Sequence, residues 1–148
     1  MINEIIELSK RFISIRSNSN STEELNKVLE LAVSELKAFT IERFEHNGSK
    51  SILAYNSKKR PKKFKIILNG HLDVVPGKDE QYTPIVKGGK LYGVGALDMK
   101  SNAACLIMAF KKMANKVDYP LGLQIVTDEE IGGFDGNKYQ IDPGVKAD

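Results

Sequence analysis

Apolar residues recur at helical spacing at the start of the chain: Ile2, Ile5, Ile6, Phe12 and Ile13 predict an amphipathic helix that ends in the polar stretch SNSNS. A second helix is expected from Ser21, where Glu24 three residues on completes a capping-box pattern. Leu25, Val28, Leu29, Ala32, Val33 and Leu36 share one face of it. The pattern then shortens. FTIERFEH and SILAYN read as strands on either side of Asn47-Gly48, the dipeptide suited to a tight hairpin turn because both positions tolerate positive φ. The basic run KKRPKK at 58–63 reads as a solvated turn, and FKIILNG as a continuous apolar strand of the kind buried on both faces. Residues 77–90 read as a polar loop. Ala103, Leu106, Ile107, Phe110 and Met113 predict a helix over about 99–115, and Pro120 introduces LGLQIV, a further buried strand. Strands alternating with helices predict an α/β fold: a three-layer mixed sheet with helices on both faces.

Composition narrows the function classes. A chain of 148 residues, 41% hydrophobic and 28% charged, can bury a single core. Its net charge of +3 gives no argument for a nucleic-acid partner. No apolar run reaches membrane-spanning length, and MINEIIELSKRF carries charges where a signal peptide needs an apolar stretch, so a cytoplasmic location is expected. The single cysteine, Cys105, sits among Ala103, Ala104, Leu106 and Ile107 and is expected to be a buried thiol.

The acids fall at strand ends. His71 and Asp73 follow one apolar strand, Asp98 opens a helix after a glycine-rich turn, and Glu129 and Glu130 follow another apolar strand. Ligands of open α/β sheets bind beyond the carboxyl ends of strands. Each feature alone has a simpler account: Asp98 as a helix N-cap, residues 128–130 as a solvated turn, His71 as a histidine satisfied by backbone carbonyls. GVGALD resembles a dinucleotide fingerprint, but Asp98 stands where the third glycine would be. Taken together the residues fit a two-metal site. Imidazole and carboxylates without thiolates suit zinc or a similar divalent ion, and an aspartate can bridge two such ions about 3.5–4 Å apart. A ligating histidine needs its second N–H held, and Asp73, two residues from His71, is placed to do so.

GHLDVVPG, YGVGALDMKSNAA and TDEEIGG, in this order, resemble the three N-terminal motifs of the dinuclear zinc family that includes acetylornithine deacetylase, succinyl-diaminopimelate desuccinylase, aminoacylase and glutamate carboxypeptidase. The resemblance implies two zinc ions, with cobalt as a possible substitute. His71 would bind one, Asp98 would bridge both, Glu130 would bind the other, Asp73 would orient His71, and Glu129 would be the general base. The implied reaction is hydrolysis of the amide bond of an N-acyl amino acid or short peptide. DMK after the bridging position is more similar to the deacylases and carboxypeptidases than to the tripeptidases. A non-catalytic binding module that keeps the fold is the alternative; retention of Glu129, which no metal requires, speaks against it.

Val94 and Ser101 depart from the family pattern, where many members have arginine and glycine, but neither is a ligand position. Family members continue beyond the equivalent of Asp148 with a further acidic ligand, an inserted dimerisation domain and a late histidine ligand. Residues 1–148 are therefore expected to be the N-terminal part of a catalytic domain, inactive alone, with dimerisation belonging to the absent domain. His46, beside the hairpin turn, is a poor substitute for the late histidine.

Overall fold

The computed structural model describes residues 1–148. Helix α1 (Ile2–Ile13) and helix α2 (Thr22–Leu36) come first, followed by the hairpin of strands β1 (Thr40–His46) and β2 (Ser49–Tyr55). Strand β3 (Ile66–His71), the short pair β4 (Ile85–Lys87) and β5 (Lys90–Tyr92), helix α3 (Lys100–Met113), strand β6 (Leu121–Val126) and a last helical turn α4 (Tyr139–Ile141) complete the chain. Ser21 caps α2 by accepting from the Glu24 N–H at 3.3 Å. The reciprocal half of the expected capping box is not made, because the Glu24 carboxylate accepts from the Arg16 N–H instead. Asn47 and Gly48, at φ 47° and 83°, form the expected hairpin turn.

The main sheet has the order β1-β2-β6-β3. β6 pairs antiparallel with β2 and parallel with β3, which makes the sheet mixed. The parallel pair needs a crossover, and α3 supplies it. Alternation along the strands divides the core in two. Ile52 and Ala54 of β2 and Leu121, Leu123 and Ile125 of β6 pack with Phe12, Leu29, Leu36, Ile107 and Phe110 from the three long helices. Leu53 and Tyr55 point the other way, onto Phe64 and Val145. That second face also carries the helical segment 134–141, where Gln140 donates to the Ser51 hydroxyl at 2.8 Å. Helices therefore lie on both faces, long on one and short on the other.

Three further expectations need correction. β3 is an edge strand, not one buried on both faces: Ile66 is 41% exposed and Asn69 is also exposed. Residues 77–90 are not a plain loop, because a 3-10 turn (Asp79–Tyr82) and most of the β4–β5 hairpin lie in them. Cys105 is exposed: Ala103, Ala104 and Ile107 hold the buried face of α3, and the intervening position turns outward. An alanine-rich neighbourhood says little about which side of a helix faces water.

Candidate metal centre

β3 and β6 are parallel neighbours that end together, with His71 opposite Val126. The crossover between them runs back down the sheet as α3, so the start of α3 also lies at this end. Three segments thereby deliver side chains to one place: the end of β3 with His71 and Asp73, the residues before α3 with Asp98, and the turn after β6 with Glu129 and Glu130. Ligand atoms of His71, Asp98 and Glu130 all lie within 4.8 Å of one another. Donors bonded to one ion at about 2.0–2.2 Å sit at most about 4 Å apart, so this set is close to a coordinating geometry. The donors are one imidazole and two carboxylates, a set that suits zinc.

His71 is 4% exposed and its two nitrogens face different ways. Nδ1 lies 3.0 Å from the Asp73 carbonyl oxygen and 3.3 Å from Asp73 Oδ1. Nε2 faces the candidate centre, 3.2 Å from Asp98 Oδ1 and 3.7 Å from Glu129 Oε2. The Asp73 main chain thus meets the ring by a hydrogen bond, and its carboxylate lies alongside. Its Oδ2 also accepts from the Glu130 N–H at 2.8 Å, tying the β3 end to the turn after β6. Burial pulls the His71 imidazolium down, but Asp73 and then Asp98 outweigh it and the imidazole is pushed up to about 9. Burial, together with the carboxylates of Asp98, Asp73 and Glu129, pushes the Glu130 carboxyl up against the pull of His71. Acids crowded around a single imidazole make a place that favours a cation.

Asp98 is not an N-cap. Met99 occupies that position, with no side-chain capping bond, and Asp98 stays exposed toward the centre. Glu129 and Glu130 lie on a 3-10 turn (Glu129–Ile131), so roughly 120° of turn separates the two side chains. Asp128, buried at 2%, shapes this turn: its Oδ2 accepts from the Asp135 and Gly136 N–H groups at 2.9 and 2.8 Å, and its main-chain carbonyl from Gly133. His46 takes no part in the centre; its Nδ1 lies 2.7 Å from Asp135 Oδ1.

Two residues beside the centre escaped the sequence reading. Lys100 is fully buried and donates to the Ile15 carbonyl at 2.6 Å, and burial lowers its amine to about 7. Ser17, also fully buried, donates to the Leu72 carbonyl at 2.6 Å. Lys100 was legible in principle. Positions 100, 103, 104 and 107 form one helical stripe, and a lysine among alanines and isoleucine on that stripe is an anomaly.

The strand ends of this mixed α/β sheet gather a histidine and several carboxylates, a donor set suited to a divalent cation. The chain belongs to the peptidase family M20/M25/M40, whose model matches residues 67–148. It is 32% identical over 142 residues to a succinyl-diaminopimelate desuccinylase of Nautilia profundicola, an alignment covering 93% of this chain and 37% of that protein. A second desuccinylase, from Sphingopyxis alaskensis, is 37% identical over 136 residues, covering 86% and 35%. The chain therefore spans a little over a third of the length of these relatives. The fold matches human carnosine dipeptidase 1 with a TM-score of 0.75 at 22% identity, covering 98% of this chain and 38% of that one. It matches a family metallo-carboxypeptidase from Sulfolobus solfataricus with a TM-score of 0.69 at 19% identity, covering 89% and 32%.

Proposed function

We propose that residues 1–148 are the N-terminal part of the catalytic domain of a metal-dependent amidohydrolase, cytoplasmic and dimeric as a full-length protein, that cleaves N-acyl amino acids or short peptides. The observation that carries the reading is the convergence of His71, Asp98 and Glu130 within 4.8 Å, with Glu129 beside them. His71, Asp98 and Glu130 would hold two zinc ions, His71 serving one, Glu130 the other and Asp98 shared between them. Zinc bound there would supply Lewis-acid activation of a water and of the scissile carbonyl. Asp73 fixes the Nδ1–H of His71, so that Nε2 presents its lone pair to the centre. Glu129, half exposed and not required as a ligand, accepts the proton of the attacking water and returns it to the leaving amine. The desuccinylase relatives support the deacylase form of this reaction.

The two adjacent glutamates provide the test in the full-length protein. Glu129→Gln should keep its metals while kcat falls by roughly 10²–10⁴, the usual worth of a positioned general base. Glu130→Ala should lose metal as well as rate. Metal analysis with steady-state kinetics on both variants decides the matter. The opposite pattern reverses the pair's roles, unchanged activity in both removes Glu129 and Glu130 from the catalytic centre, and a wild-type protein that hydrolyses no N-acyl amino acid or short peptide removes the hydrolase reading.

A further inference from the structure

The link between α1 and α2 contains no candidate ligand, yet it is bonded to two of the segments that carry them. Ser17 grips the stretch leaving β3: its hydroxyl donates to the Leu72 carbonyl at 2.6 Å, and its own carbonyl accepts from the Val74 N–H at 2.9 Å. Those bonds bracket Asp73 and begin one residue after His71. Two residues before Ser17, the Ile15 carbonyl accepts from Lys100 Nζ at 2.6 Å, and Lys100 lies two residues after Asp98. The lysine stem runs against Gly95, at φ 73°, where a Cβ would meet Val74 Cγ1 at 2.6 Å and Lys100 Cδ at 3.0 Å. Ser17 and Lys100 are both fully buried. Burying an amine costs free energy that a leucine or methionine at the same helical position would not. The bond does not depend on the amine's charge, since either protonation state donates.

We propose that the Ile15–Ser17 turn is a positioning element, gripped by Ser17 and Lys100, that fixes the separation of His71 from Asp98 and thereby sets the affinity for metal. This rests on the metal-centre reading above. Both residues act through the ligands and touch no metal.

The test titrates zinc against a chromophoric chelator, and records the visible spectrum of bound cobalt(II), in the wild-type chain and in Lys100→Met, Ser17→Ala and Asp98→Ala. Lys100→Met and Ser17→Ala are each expected to weaken zinc binding about 10- to 100-fold, the usual cost of losing a group that orients a ligand, and to alter the cobalt bands. Lys100→Met should melt no lower than wild type, because methionine fills the same channel without burying an amine. A purely structural role would lower melting temperature while leaving affinity and spectrum alone; that result in the two variants overturns the proposal. If Lys100→Met does not fold, Ser17→Ala decides by the same measures. Asp98→Ala separates the two levels. Wild-type zinc affinity there removes the metal centre and the proposal with it, whereas impaired binding there beside unaffected Lys100→Met and Ser17→Ala removes the positioning element alone.

Discussion

Between the long helices and the sheet, Phe12, Ile107, Phe110, Leu123 and Ile125 are fully buried with no polar group among them. Where β3 and β6 end, Asp73, Asp98, Glu129 and Glu130 crowd one histidine, and Asp73 Oδ1 has no properly directed hydrogen bond. The first region gains stability from every contact. The second holds like charges together, which folding alone would not favour. The contrast teaches that the sheet and helices bear the cost of keeping the strand-end acids in place.

Mutations on either side should then differ in sign as well as size. Phe110 is fully buried and meets Phe39 edge-on at a 4.9 Å ring separation. Phe110→Ala should cost about 3–5 kcal/mol, read as a loss of denaturant midpoint; a cost below about 1 kcal/mol would mean that the core is not where the stability lies.

His71 gives an intermediate effect at the site. Its folded-state pKa of about 9 is raised above the ordinary 6.5, so the ion pair's contribution is fully present below 6.5 and is lost as pH rises through 9. The metal-free chain should lose on the order of 1 kcal/mol per pH unit across that window. Asp73→Asn should flatten the loss, and the His71 ring protons should titrate near 9 by NMR. A midpoint near 6.5 would show that Asp73 does not hold the imidazolium.

The smallest effect has the opposite sign. Glu130 carries a raised pKa through burial and neighbouring carboxylates, so Glu130→Gln should stabilise the metal-free chain by a few tenths of a kcal/mol. In zinc the order of stability should reverse, since the wild type gains binding energy that the variant lacks. Thermal melts with and without zinc check both signs; destabilisation in the absence of metal would erase the contrast.

Much of this division could be read from the residues. The α2 cap, the Asn47-Gly48 turn and the stripes of α1 and α3 depend on local chemistry, and local chemistry is written in order along the chain. The candidate ligands were legible because His71, Asp98 and Glu130 each follow a strand end or precede a helix. What escaped depends on neighbours distant in sequence. Nothing in FKIILNG says that β3 has a partner on one side only. Nothing near Ser17 says that its hydroxyl meets Leu72, 55 residues away. Cys105 was misplaced because the alanines around it suit either side of a helix. The sequence around Asp98 suits a cap as well as a ligand, and only the placement of Met99 at the start of α3 separates them.

The position of β6 has a consequence for how the chain is made. Within residues 1–148 it comes last among the strands of the main sheet, yet it lies between β2 and β3. At roughly 5–20 residues per second, a ribosome spends several seconds between releasing the β1–β2 hairpin and finishing β6. During that interval the hairpin can find α1 and α2 but not the rest of its sheet, and β3 has no partner at all. His71 and Asp98 are synthesised well before Glu130, and β3 gains its strand partner only when β6 slides between the waiting strands. Pairing of the four-stranded sheet and the gathering of His71, Asp98 and Glu130 at its end are therefore one event in the nascent chain, set by the arrival of a single strand.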